Sequence, residues 1–97
     1  MVDNKDGYVA EHGLTVYPNP IMEHSKFSIG LAGFDGNMVQ VKIQNMSGFL
    51  IYSAEVEISQ EREMIELNTN IIQDSGMFVV SVFSGNKWYQ HKFMNVK

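Results

Sequence analysis

Cysteine is absent from the 97 residues of this chain, and basic residues are scarce. Without cysteine the chain can form no disulfide, thiolate metal site or cysteine nucleophile, while the redox compartment stays undetermined. No apolar run approaches the roughly 20 residues of a bilayer-spanning helix, so we expect no membrane insertion. Seven Lys and Arg against eleven Asp and Glu give a net charge of −4. This balance provides no basic stripe for nucleic acid.

Length and composition fit one globular domain. A chain of 97 residues, 44% hydrophobic and 19% charged, can bury one core but is too short for two domains. Residues 1–13 are polar, include Gly7 and Gly13 and show no sustained period, which predicts a linker or disordered N-terminal segment. They also lack the basic and apolar regions of a Sec signal, so we expect a segment of a longer protein. Residues 14–97 form the predicted domain.

The clearest structural signal is a hairpin near the end of the chain. Residues 77–83 are rich in β-branched and aromatic side chains and are bounded on both sides by turn-forming residues, which predicts a strand. Ser84, Gly85 and Asn86 then favour a tight turn, so residues 87–93 should return antiparallel. Because an isolated two-stranded ribbon is only marginally stable in water, earlier strands must cover its apolar face.

Five strand-like segments precede this hairpin, at residues 14–17, 26–31, 38–46, 50–58 and 64–67. Apolar and polar residues alternate in most of them, and no segment shows a helical period, although one helical turn is possible around Ile71. Seven short strands at roughly regular spacing predict an all-β chain folded as a single antiparallel β-sandwich. The predicted core consists of Val41, Ile43, Leu50, Tyr52, Ile65, Leu67, Phe78, Val80 and Val82.

Catalytic and metal-binding groups do not converge in the sequence. His12, His24 and His91 lie in separate segments without metal-ligand spacing, and residues 3–7 start like a calcium loop but place Gly13 where the acidic twelfth ligand is needed. No nucleophile elbow, phosphate-binding glycine loop or zinc-binding helix motif occurs. We therefore predict no enzyme activity, no metal and no cofactor. Five glutamates between residues 55 and 66 indicate a solvated acidic face: Glu55, Glu57, Glu61, Glu63 and Glu66.

Five segments in a fixed order carry a family resemblance. The first ends in Pro18, Asn19 and Pro20, a stiff turn in which two prolines fix φ and remove ladder donors. Together the five resemble the type A C-terminal sorting domain of the type IX secretion system, the Por secretion tail family, over residues 14–97. The segments are Leu14 to Pro20, Val41 to Leu50, Ile65 to Leu67, Ser75 to Val80 and Lys92 to Lys97.

The resemblance implies a small Ig-like β-sandwich at the C-terminus of a protein exported by a Bacteroidetes bacterium. Such a domain is a non-catalytic signal that directs an N-terminal passenger from the periplasm through an outer-membrane translocon. A cysteine sortase-like peptidase then usually removes it and can attach the passenger to anionic lipopolysaccharide. We accordingly expect a secreted or cell-surface location, the translocon and the peptidase as partners, and a monomer.

The same resemblance selects candidate recognition residues. The Pro18-Asn19-Pro20 turn is expected to set the entry of the first strand, and Gly48 and Gly76 to occupy positions that a Cβ would crowd. The final segment is expected to contribute to recognition by the export machinery. Its candidate residues are Lys92, Phe93, Val96 and Lys97.

A second function stays open on sequence grounds. A small β-sandwich can bind sugars through exposed aromatic rings, and Trp88 and Tyr89 near the hairpin turn could stack on one. The alternative function is therefore a carbohydrate-binding or adhesion module of a surface protein. Core packing or cross-strand pairing within the hairpin is the structural interpretation of the same two residues.

Overall fold

The computed structural model describes residues 13–22, 26–34 and 36–96. Within these ranges the chain forms eight strands and one short 3-10 helix. The strands are β1 (Gly13–Tyr17), β2 (Ile21–Met22), β3 (Lys26–Ala32), β4 (Met38–Asn45), β5 (Leu50–Glu57), β6 (Arg62–Asn68), β7 (Gly76–Ser84) and β8 (Lys87–Val96), with the 3-10 helix at Thr69–Ile71. The first twelve residues of the predicted linker lie outside the described residues, and Gly13 already begins β1.

The strands form two sheets. Sheet A has the order β1-β3-β6, and sheet B has the order β2-β8-β7-β4-β5. All neighbouring strands are antiparallel except β2, which pairs in parallel with β8 through Ile21 opposite Asn95 and Met22 opposite Val96. The predicted all-β sandwich is confirmed. Strand β2 was not predicted, because two residues after a proline are too few to show an alternating pattern.

The core lies between the sheets and follows the alternation in the sequence. In β3, Phe27, Ile29 and Leu31 point inward, and β4 repeats the pattern with buried residues at every second position. Three aromatic rings join the two sheets, because Phe93 of β8 stacks on Phe27 of β3 at 6.1 Å and on Phe78 of β7 at 5.9 Å between ring centroids. The last strand is thus part of the core.

Most of the predicted core is confirmed, and one residue is wrong. Five of the nine residues are buried, and Tyr52, Ile65 and Leu67 are partly buried against the core. Leu50, however, is 49% exposed. The ladder between β4 and β5 shifts register after Ile43, so that Gln44 rather than an apolar residue lies opposite Leu50. A slip of one residue moves a side chain to the other face of the sheet, and the sequence carried no sign of this bulge.

The predicted hairpin of β7 and β8 is confirmed. Its ladder extends from Ser84 opposite Lys87 to Gly76 opposite Asn95. The two turn residues have positive φ, 56° at Gly85 and 72° at Asn86. Two consecutive positive φ values match the right-handed twist of the flanking strands, which explains why Gly and Asn stand at these positions.

Candidate functional site

The Pro18-Asn19-Pro20 turn carries the chain from sheet A to sheet B and is fastened to the last strand. Both X-Pro bonds, Tyr17-Pro18 and Asn19-Pro20, are cis. The Oδ1 atom of Asn19 accepts a hydrogen bond of 3.0 Å from the backbone N–H of Met94. Strand β2 then pairs beside β8. The turn ends β1 and docks the following segment on the C-terminal part of β8, rather than setting the entry of β1.

Asn95 fixes the same end of β8 from the inside. Its side chain is buried, and its amide donates hydrogen bonds to the backbone oxygens of Asp74 at 2.8 Å and Ile72 at 3.5 Å. These carbonyls belong to the connection that leads into β7, so one side chain ties the connection to the last strand. The sequence offered one signal that was not used: a polar residue at an inward position two residues after Phe93.

The two candidate glycines are not crowded. A Cβ added at Gly48 or at Gly76 would meet no atom within 4 Å, so the prediction of crowding is wrong. Their backbone conformation is what requires glycine, because φ is 88° at Gly48 and 136° at Gly76. Gly76 lies directly opposite Asn95 in the ladder, and Gly48 lies in the turn between β4 and β5.

Asn45 organises that turn between β4 and β5. Its Oδ1 atom accepts hydrogen bonds from the backbone N–H groups of Ser47 at 3.0 Å and Phe49 at 2.8 Å. Its own carbonyl accepts from the N–H of Gly48 at 3.0 Å. The turn is therefore held rigidly by a short side chain, and it presents Met46 and Phe49 to solvent.

Exposed apolar side chains gather at this end of the sandwich. Met77 lies opposite Met94 in the ladder of β7 and β8, and Val96 lies opposite Met22. Met77 also lines a concavity of about 560 Å³ together with residues of the turn between β4 and β5. We call the set the methionine surface, and its members are 37% to 71% exposed. They are Met22, Met46, Phe49, Leu50, Met77, Met94 and Val96.

Methionine is used unusually in this fold. All six methionines of the described ranges are exposed, from 37% at Met77 to 66% at Met64, although methionine is ordinarily a core residue. Four of the six belong to the methionine surface. A cluster of exposed apolar side chains marks an interaction site, and flexible thioethers suit a surface that must fit a partner. The sequence signal was the count of seven methionines in 97 residues, two of which, Met77 and Met94, stand next to phenylalanines that are buried.

The described residues give no support for a metal site built from titratable side chains. No group of three or more His, Asp or Glu residues there could hold a metal ion. His91 is half-buried in β8, whereas His12, His24 and the calcium-like residues 3–7 lie outside the described residues. Four of the five glutamates are exposed as predicted and Glu63 is half-buried, but they are divided between β5 of sheet B and the β6 side of sheet A and form no single face.

Trp88 and Tyr89 lie on opposite faces of β8. Trp88 is 51% exposed on the outer face of sheet B and packs against Phe83 of β7 at 4.8 Å between ring centroids. Tyr89 is partly buried and contacts Phe34 edge to face at 5.1 Å. The two rings therefore cannot stack together on one sugar. The interpretation as cross-strand pairing and core packing is confirmed.

Comparison with known proteins decides the family. The model of the family described as "Secretion system C-terminal sorting domain", the Por secretion tail, matches residues 15–97. This chain belongs to that family. The resemblance inferred from the sequence is thereby confirmed. Membership makes the chain a sorting signal of type IX secretion, which implies export to the cell surface or beyond and an interaction with the secretion machinery.

The fold of this sorting domain is also found in a component of the same secretion system. It is similar to part of PorZ, described as an essential bacterial surface component of the type IX secretion system of Porphyromonas gingivalis, with 24% identity and a TM-score of 0.61. The match covers 88% of the sorting domain and 12% of the PorZ chain, and it shows the fold alone. A comparison with curated proteins found no match. Across the described ranges no helix is long and apolar enough to cross a membrane.

The sorting domain brings most of its candidate residues to one end of the sandwich. The Pro18-Asn19-Pro20 turn, Gly76 and Val96 all meet at the C-terminal part of β8, and Lys92 is exposed on the same strand. Gly48 lies in the turn between β4 and β5, and other residues of this turn line the concavity together with Met77. Phe93 is 1% exposed, so its ring supports the surface from below and cannot contact a partner directly. Lys97 lies outside the described residues.

Proposed function

We propose that this sorting domain directs an N-terminal passenger across the outer membrane through the type IX translocon, and that the methionine surface is the face that the machinery binds. The observation that carries the proposal is the gathering of exposed apolar side chains around the C-terminal part of β8 in a chain of the sorting-domain family. The domain acts as a monomer, needs no cofactor and performs no catalysis.

The energetics favour such a docking surface. Burying one exposed Met, Leu or Phe side chain stabilises a complex by about 1.5–3 kcal/mol, so a few of these residues supply most of a useful affinity. The backbone below the surface is already fixed by Asn19, Asn45 and Asn95. Less conformational entropy is therefore lost on docking, while the flexible methionines adapt to the partner.

After transport, the domain is separated from its passenger. The polar residues 1–12 form the linker between passenger and signal, and a sortase-like peptidase cuts within or near it once the passenger has crossed the membrane. The composition of this segment supports the linker, because a peptidase needs an accessible, extended chain. Release of the passenger or its attachment at the cell surface follows from that cleavage.

A secretion assay tests the proposed surface. The 97-residue chain is fused to a Sec-exported reporter in a Bacteroidetes host with a working type IX system. We expect the variant M77Q/M94Q to leave the reporter in the periplasm, because losing about 2 kcal/mol of binding free energy weakens docking roughly thirtyfold. The matched control is M38Q/M64Q, which changes two methionines that are 60% and 66% exposed elsewhere on the fold.

The two variants separate the outcomes. Circular dichroism and thermal melts confirm that both remain folded, since all four side chains are partly or largely exposed. Equal secretion of the two variants would remove the methionine surface from the proposal. Retention of the unmodified fusion, while a known sorting domain exports the same reporter, would contradict the export function itself.

A further inference from the structure

Trp88 stands on the outer face of sheet B, far from the methionine surface. Met94 lies six positions further along β8, which corresponds to about 20 Å along an extended strand. The indole of Trp88 is supported by Phe83 and has the Nζ atom of Lys42 at 5.5 Å from its centroid. Even with both contacts, 51% of the residue remains exposed. A large aromatic ring is thus held in place and still open to a ligand.

The surroundings of Trp88 are polar and concave. A concavity of about 540 Å³ is lined by Lys42, Gln44, Ser81, Trp88 and Gln90. Lys42, Ser81 and Gln90 form one row across β4, β7 and β8, in which the Nε2 atom of Gln90 lies 3.4 Å from the Oγ atom of Ser81. Each primary amide offers donors beside an acceptor, which matches neighbouring hydroxyl groups of a sugar. We call these five residues the Trp88 face.

The charge of the Trp88 face differs from that of the whole chain. The chain has a net charge of −4, yet none of the five residues is a carboxylate and Lys42 contributes a cation. Lys92, exposed two residues after Gln90 on the same side of β8, adds a second cation. A ligand with a carboxylate beside its hydroxyl groups complements this arrangement better than a neutral one.

We propose that the Trp88 face binds an acidic saccharide of the uronic-acid class. One pyranose ring stacks on the indole of Trp88, the amides of Gln44 and Gln90 bond its hydroxyl groups, and Lys42 pairs with a carboxylate. This inference does not depend on the proposed export function, because the isolated domain would bind the saccharide whether or not it directs export. It gives the domain a means to contact acidic glycans.

Intrinsic fluorescence reports directly on this site, because Trp88 is the single tryptophan of the chain. The 97-residue domain is titrated with tetragalacturonate and, separately, with the neutral maltotetraose. We expect a saturable change in Trp88 emission with the acidic saccharide and a weaker one with the neutral saccharide. Raising the salt from 0.1 to 1 M should weaken only the acidic titration, because the Debye length falls from about 10 to about 3 Å.

Two variants assign the contacts. K42Q should weaken tetragalacturonate binding about threefold to fivefold and leave maltotetraose unchanged, the effect expected for loss of one partly exposed ion pair. K26Q is the matched control, because Lys26 lies on sheet A with a side chain that is 66% exposed, and its affinity should stay within about twofold. W88A, measured by calorimetry, should abolish binding while the thermal melt confirms folding.

Three results would overturn the proposal. They are a flat titration with both saccharides, equal affinities of K42Q and the unmodified chain for tetragalacturonate, and saturable binding of a single-stranded thymidine decamer without binding of tetragalacturonate. The last result would assign the Trp88 face to base stacking on a nucleic acid instead.

Discussion

Three asparagine side chains complete the hydrogen bonding of this fold where strands end. Asn19 accepts from the N–H of Met94, Asn45 accepts from two N–H groups of its turn, and Asn95 donates to two carbonyls of the connection before β7. The short amide carries both donors and an acceptor, so it can replace a missing strand neighbour. At the scale of single residues, these groups fix the backbone around the methionine surface.

Asn95 should be the most sensitive of the three, because it is 2% exposed. N95A leaves the buried carbonyl of Ile72 and the partly buried carbonyl of Asp74 without their amide donor, and we expect the free energy of unfolding to fall by about 1–3 kcal/mol. Urea denaturation measures the loss. Q90A, at an exposed position of the same strand, should change it by less than about 0.5 kcal/mol. A loss for N95A as small as that of Q90A would show that water replaces the amide without cost.

At the scale of whole elements, β8 serves both sides of its sheet. Its inward side chains, Phe93 and Asn95, complete the core and the connection before β7, while Trp88 and Met94 point outward to the two candidate binding surfaces. Because side chains alternate along the strand, the inward residues of β8 serve stability while the outward residues are available for binding. Substitutions at outward positions can therefore test binding without unfolding the domain.

Elements with strict alternation were predictable from the sequence, and those shaped by tertiary contacts were not. The inward faces of β3 and β4 and the hairpin of β7 and β8 follow directly from pattern and turn chemistry. Strand β2 is defined by its pairing with β8, and the register shift that exposes Leu50 lies next to the Asn45 turn. The methionine surface was not predicted from the sequence for a similar reason. A single Met at an outward position carries no signal by itself, and only the pairing of the strands places several such residues side by side.

The ring of Phe78 in β7 helps to hold the two sheets together. Its ring is buried and stacks on Phe93, which in turn stacks on Phe27 of sheet A. F78A should lower the free energy of unfolding by about 3–5 kcal/mol, a large part of the roughly 5–15 kcal/mol that a domain of this size possesses. F49A removes a ring that is 71% exposed and should cost less than about 0.5 kcal/mol. A loss under about 1 kcal/mol for F78A in denaturant melts would contradict its place in the core.

At the scale of the whole molecule, the recognition surface that we propose is a folded surface and not a linear tail. The methionine surface combines residues from β2, β7, β8 and the turn between β4 and β5, which lie up to 74 positions apart, from Met22 to Val96. Only the folded sandwich brings them together. Trp88 itself lies about 20 Å from Met94 along β8, whereas the Trp88 face and the methionine surface adjoin where Gln44 lies opposite Leu50.

Removing the end of β8 should therefore abolish folding and signal together. Deletion of residues 92–97 removes Phe93 from the aromatic stack, Asn95 from its carbonyls and the partner strand of β2. We expect the fusion to lose its cooperative thermal melt and its secretion.

K92A changes an exposed side chain, so its free energy of unfolding should stay within about 0.5 kcal/mol of that of the unmodified chain. A secretion defect of folded K92A would assign Lys92 to direct recognition, and normal secretion would leave recognition to the apolar side chains. Export of the deleted fusion would show that the signal survives without the folded surface.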